Sequence, residues 1–97
     1  MLDFEWDADK DRLNRAKHGV SFDTASLIWD DPNFLMIPDA VYETEQRWLA
    51  IGRVGAMVVL VAVHSIRPRD GSERIRIISA RRATSHERKR YEQATFD

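Results

Sequence analysis

Glu73-Arg74-Ile75-Arg76-Ile77-Ile78-Ser79-Ala80-Arg81-Arg82-Ala83-Thr84-Ser85-His86-Glu87-Arg88-Lys89-Arg90-Tyr91-Glu92 is the stretch that sets the fold class. It starts as a strand, because Ile and Arg alternate through Arg76. It ends as a helix, because Thr84-x-x-Glu87 is a capping box. Arg81 and Arg82 fall at the junction. Two guanidiniums at the end of a strand, followed by a basic helix, make a place where a phosphate can be held. Arg offers a fixed fork for its oxygens, where Lys offers a point charge.

Upstream, Pro68-Arg69-Asp70-Gly71-Ser72 is loop chemistry with a strong Asp-Gly turn pair. Met57 to Val63 is apolar at both parities, which predicts a central strand covered on both faces. Gly52-Arg53-Val54-Gly55 is a hairpin candidate. Gln46 to Arg53 alternates, with Leu49 and Ile51 on one face. Phe34 to Pro38 reads as a short strand that Pro38 confines to an edge or a strand end. Short connections imply antiparallel neighbours.

The N-terminal part reads as helical. Phe4 and Trp6 alternate with acids, as in a short edge strand. Asp7 is an N-cap, and the first helix runs to about Lys17 with Leu13 and Ala16 on its inner face. His18-Gly19 ends it. Ser21 caps a second helix whose apolar face is Phe22, Ala25, Ile28 and Trp29, and Asp31-Pro32 stops it. The last helix spans about Ser85 to Ala94. Helices gathered at the chain ends predict an α+β two-layer domain with an antiparallel sheet, two N-terminal helices and one C-terminal helix.

The 97 residues make one domain, 1–97, large enough for a modest core. The absence of Cys excludes disulfides, thiolate zinc sites and thiol catalysis. The N-terminus lacks the features of a secretory signal, and no apolar run approaches the ~20 residues of a spanning helix. The expectation is a cytoplasmic protein with no membrane role. Net charge is −1, yet residues 1–45 hold eleven acids against four bases and residues 46–97 five acids against eleven bases. Such asymmetry suggests a surface that meets a polyanion, or two ordinary solvated faces that differ.

Single residues admit plain readings beside functional ones. His18 can move protons near neutral pH, or merely complement the helix dipole, and spacing favours the second. Arg67 follows the central strand, which places it beside Arg74 and Arg76 rather than beside Arg81. Arg81 and Arg82 point to opposite faces if the strand continues. His64 interrupts an apolar strand and reads as a core residue. Tyr91 and Glu87 share a helix face. Tyr91 reads as a core residue whose hydroxyl could also reach a phosphate beside the sheet. No metal motif, P-loop or nucleophile elbow is present, and no cofactor is expected.

Read in order, Phe4-Glu5-Trp6-Asp7-x-x-Lys10, Asn14-x-x-Lys17-His18-Gly19-Val20-Ser21-Phe22, Asp31-Pro32, Glu45-x-Arg47, Ile51-Gly52, Arg67, Ile75-Arg76-Ile77-Ile78-Ser79-Ala80-Arg81 and Glu87-Arg88-x-x-Tyr91 resemble the BrnT family of toxins. Two departures are visible. The family often has Tyr-Thr before the Arg matched to Arg67, where this chain has His64-Ser65-Ile66. It often has Pro where this chain has Ala8.

The resemblance implies a RelE/ParE-like fold and a ribonuclease toxin of a type II toxin–antitoxin pair. It implies a BrnA-like ribbon-helix-helix antitoxin, an RNA substrate, and promoter DNA bound only through the toxin–antitoxin complex. It places catalytic positions at His18, Arg67, Arg81, Arg82 and Tyr91. RNA-binding positions are expected at Lys17, Arg76, Arg88 and Lys89. RNA brings its own nucleophile, the 2′-hydroxyl, so cleavage without a metal is expected. The alternatives are a toxin that binds another target, as some ParE relatives act on DNA gyrase, and a non-catalytic antitoxin-binding module.

Overall fold

A computed structural model describes residues 2–56, 58–70 and 72–96. The elements run β1 (Asp3–Glu5), α1 (Ala8–His18), α2 (Phe22–Ser26) with a 3₁₀ turn (Leu27–Asp30), β2 (Leu35–Tyr42), β3 (Glu45–Val54), β4 (Val58–Arg69), β5 (Ser72–Arg82) and α3 (Ser85–Phe96). The sheet order is β1-β5-β4-β3-β2. β2 to β5 form an antiparallel meander. β1 pairs parallel with β5, so the sheet is mixed, where an antiparallel one is expected from the short loops. Those loops govern only the meander. Between β1 and β5 the chain makes two helices and three strands, ample length for a parallel return.

The N-caps form where the sequence puts them. The Asp7 carboxylate accepts the N–H groups of Asp9 and Lys10, and Ser21 Oγ accepts that of Thr24. Gly19 takes the left-handed conformation, φ 73°, and closes α1. The β4–β5 ladder runs further than expected. Pro68 and Arg69, predicted as loop, pair with Glu73 and Ser72. Gly71 of the expected Asp-Gly turn, and Met57 at the expected start of the central strand, lie outside the described residues.

The β3–β4 hairpin turns at Gly55, φ 71°, the last residue of the expected Gly52-Arg53-Val54-Gly55 turn. Gly52 is inside β3, where a Cβ would sit 2.9 Å from Ile28 Cγ2 and 3.0 Å from Phe34 Cβ. Its smallness is therefore a packing requirement. Gly52→Ala is expected to lower the unfolding free energy by about 1–3 kcal/mol through overpacking. Urea denaturation checks this; an unchanged midpoint would show that the 3₁₀ turn yields freely.

Each strand of the meander presents alternate residues to two faces. On one, α1, α2 and the 3₁₀ turn cover Ala50, Leu60, Ala62, Ile75, Ile77 and Ala80 with Val20, Phe22, Ala25 and Ile28. His64 belongs to this core, with Trp29 edge-on at 4.8 Å. Burial pushes its imidazole below the ordinary His value, so it is neutral at pH 7. On the other face, Ile51, Val59 and Val61 pack with Tyr91 of α3. The C-terminal helix thus forms a third, partial layer, where two layers are expected. The signal was present: a strand apolar at both parities needs cover on both sides.

α1 departs from its expected orientation. Leu13 is 60% exposed, Ala16 is exposed, and the buried residue is Asn14. Asn14 Nδ2 donates to the carbonyls of Ala80 (2.8 Å) and Val20 (2.9 Å), and its Oδ1 accepts the Ala80 N–H (3.2 Å). The β1 ladder stops at Arg76, leaving the rest of the β5 edge unpaired. A carboxamide, offering donor and acceptor together, completes that edge as a strand would.

Candidate functional site

The face that α3 only partly covers is arginine-rich. Alternation puts Arg47 of β3, Ser65 and Arg67 of β4, and Arg74 and Arg76 of β5 on it. A β-bulge at Ile78 interrupts the β4–β5 register, with Val63 opposite Ser79 but His64 opposite Ile77. That extra residue restores parity, so Ser79 and Arg81 share the face with Arg74 and Arg76. Without it Arg81 would point among the helices.

The register orders the face into rows. Arg67 is opposite Arg74; Ser65 is opposite both Arg47 and Arg76; Val61 is opposite Arg81 and Ile51. At the first end Arg67 pairs with Glu45 at 3.5 Å and Arg74 with Glu5 at 3.4 Å. The Arg47 guanidinium lies over the Tyr42 ring at 4.5 Å. The Arg67 side chain is 50% exposed, so its ion pair is weak and exchangeable.

The far end is tied by α3. Arg81 grips Glu87 with both terminal nitrogens, at 2.7 and 2.9 Å, and donates to the Arg82 carbonyl. Glu87 also accepts the Thr84 N–H, while Thr84 Oγ1 accepts the Glu87 N–H, closing the expected capping box. The Arg81 hydrogen bonds outweigh burial and hold the Glu87 carboxyl down at about 2. They push Arg81 above its ordinary value. Tyr91 Oη donates to Asp31 Oδ2 at 2.6 Å. Burial alone would raise the Asp31 carboxyl, but bonds from the Arg53 N–H, the Tyr91 hydroxyl and the Asn33 N–H win and lower it.

The expected site residues are therefore distributed. Arg67 and Arg76 come together, joined by Arg47 and Arg74. Arg81 shares their face, but its β4 partner Val61 is separated from Arg67 by a strand run of about 20 Å. Arg82 points to the opposite face and lines a cavity with Gly19, Val20 and Thr24. Lys17 and His18 line a groove at the β5 edge with Lys10, Asn14, Ile78 and Ser79. Ser79 joins that groove to the arginine face. Arg88 and Lys89 are exposed on α3. Tyr91 is buried beneath α3 and engaged by Asp31.

Spacing alone does not single out Arg47 and Ser65, which lie at the middle of the basic end. The alternation of Glu45 to Arg53 carries the signal for Arg47; Ser65 offers none until its neighbours are known. Among the described residues no group of three or more His, Cys, Asp or Glu converges to hold a metal, and no helix is long and apolar enough to cross a membrane.

Comparison with known proteins adds the following. The family model described as "Ribonuclease toxin, BrnT, of type II toxin-antitoxin system" matches residues 6–87. The crystal structure of the Brucella abortus ribonuclease toxin, BrnT, is similar to this chain with a TM-score of 0.66 and 25% identity, over 88% of this chain and 100% of that one. No curated protein matches.

Proposed function

The chain belongs to the BrnT family of ribonuclease toxins of type II toxin–antitoxin systems, and from that premise we propose that it is a metal-independent endoribonuclease of RelE/ParE-like fold, acting in the cytoplasm. The family match carries the reading. The arginine face supports it, since a sheet lined by guanidiniums suits a polyanion.

An RNA strand lies along this face. Cleavage requires removal of the 2′-hydroxyl proton, stabilisation of the charge on the phosphorane, and protonation of the leaving 5′-oxygen. Arg81 holds the developing charge, and electrostatic stabilisation of this kind usually contributes most to the rate in such sites. His18, across the β5 edge, moves protons, a contribution of about 10²–10⁴-fold. Arg67, at the other end, binds a phosphate further along the strand, because a run of about 20 Å keeps it from sharing one with Arg81. Lys17, Arg76, Arg88 and Lys89 draw in the RNA backbone, and Arg82 adds to the field from the opposite face. Tyr91 serves the site by holding α3, and with it Glu87, in place. A BrnA-like ribbon-helix-helix antitoxin neutralises the toxin, and the pair represses its own promoter.

Incubating the purified protein with labelled single-stranded RNA in excess EDTA tests the reading. Fragments ending in 2′,3′-cyclic phosphate are expected. A strict requirement for Mg²⁺ would overturn the metal-free mechanism, and intact RNA with or without the ion would overturn the ribonuclease.

A further inference from the structure

Ser65 lies on the middle strand of the sheet, fully buried, and among the described residues its hydroxyl has no hydrogen-bond partner. Native interiors rarely leave such a group unsatisfied. Its neighbours on the face are Arg47 and Arg76, one on each adjoining strand. Arg47 Nε is also buried without a partner, and so is Arg74 Nε one row away. Three donors shut off from water, in two adjacent rows, thus lack an acceptor.

The nearby carboxylates do not fill the need. Glu45 is engaged by Arg67 and Glu5 by an outer nitrogen of Arg74. Asp7 is used as the α1 cap, and Asp3, beside Arg74, is exposed. Asp39, next to Arg47 at the β2 bulge, is exposed, and among the described residues neither Arg47 nor Arg76 makes an ion pair.

We propose that Arg47, Ser65 and Arg76 form a subsite for one phosphodiester of a single RNA strand, flanked by Arg74. The guanidiniums of Arg47 and Arg76 hold the two non-bridging oxygens from either side. The Ser65 hydroxyl donates to one of them once those long side chains part around the anion. The inference rests on the reading of the chain as an RNA-cleaving enzyme. These are positioning residues: they fix the register of the strand, so that a different phosphate meets Arg81. Successive rows of one face recur about every 7 Å along a strand, so an extended nucleic acid can follow them phosphate by phosphate. An acidic segment of a protein is the competing ligand. The hydroxyl set between two forks favours the tetrahedral group, which needs donors from several directions.

Fluorescence anisotropy with a 2′-O-methyl RNA oligonucleotide, which binds but cannot be cut, tests the subsite. Ser65→Val is expected to weaken binding about threefold, and Arg47→Gln with Arg76→Gln at least tenfold. Each lost phosphate contact should lower the salt slope by about one. Inorganic phosphate should raise the Tm of the parent protein but not of the double variant. Among the described residues Arg47, Ser65 and Arg76 make no side-chain hydrogen bond or ion pair that the substitutions would break, so the variants should fold, which circular dichroism verifies. Arg47→Lys, keeping charge but losing the fork, provides a second variant and should also bind less well. Equal RNA affinity in all variants would overturn the subsite, as would a parent protein that does not bind the oligonucleotide. Loss of affinity for polyglutamate with RNA affinity retained would overturn it in favour of a protein ligand. Parallel assays on unmodified RNA separate the two readings. A parent protein that binds but never cuts ends the ribonuclease, while weaker binding by the variants would still support the subsite.

Discussion

Replacing Asn14 by alanine is expected to lower the unfolding free energy by about 3 kcal/mol, a large share of the 5–15 kcal/mol typical of a domain. The carboxamide serves three backbone groups, the Ala80 N–H, the Ala80 carbonyl and the Val20 carbonyl. Ala80 is fully buried, and each group stripped of its partner there costs about 1–3 kcal/mol, moderated where water can enter. Asn14→Asp should be at least as harmful, since it removes both donors and sets a carboxylate against two carbonyls. Urea denaturation with an unchanged m-value gives the measurement. A loss below about 1 kcal/mol would show that α1 packing, and not the carboxamide, holds the sheet edge.

Truncating Arg81 to alanine is expected to reduce kcat/KM for RNA by about 10²–10³-fold, the scale set by removing one donor to a transition-state oxyanion. It should also lower stability, because Glu87 loses its bidentate partner. Glu87→Gln separates the two effects. It weakens the same contact but leaves the Arg81 guanidinium in place, so cleavage should stay within about tenfold of the parent. If Glu87→Gln loses as much activity as Arg81→Ala, Arg81 is a strut for α3 and not a catalytic residue.

The pair also sets an acid limit. The Glu87 carboxyl titrates at about 2 in the fold against 4.5 free, so its stabilisation is complete above pH 4.5 and lost as pH falls toward 2. A shift of that size corresponds to about 3 kcal/mol. The side chains of Arg81 and Glu87 are 32% and 17% exposed, and solvent screening reduces the expectation to about 2 kcal/mol. The parent and Glu87→Gln proteins should therefore differ by about 2 kcal/mol at pH 7 and converge near pH 2. A constant gap across that window would assign the loss to packing.

Much of the fold could be read from local signals. Caps at Asp7, Ser21 and Thr84 and the left-handed Gly19 are decided by a few neighbouring residues, and each forms as expected. Periodicity likewise found the apolar face of α2 and the central strand. Parity also foresaw that Arg81 and Arg82 point apart, and antiparallel pairing that Arg67 meets Arg74. The orientation of α1 was not legible. Leu13 looks like the inner residue until one knows that α1 lies on a bare strand edge, where hydrogen bonding outranks apolar burial.

The site was legible only in part. Its residue types, arginines on alternating strands, are written in the chain. Their grouping depends on the bulge at Ile78, which shifts parity between Arg76 and Arg81, and on cross-strand register, which brings Arg47, Ser65 and Arg76 into one row from three distant stretches. The sequence by itself determined the elements, their caps and the charge they carry, because those follow from interactions within a few residues. Only the tertiary structure decided which charges meet, because register is fixed by the whole sheet packing at once.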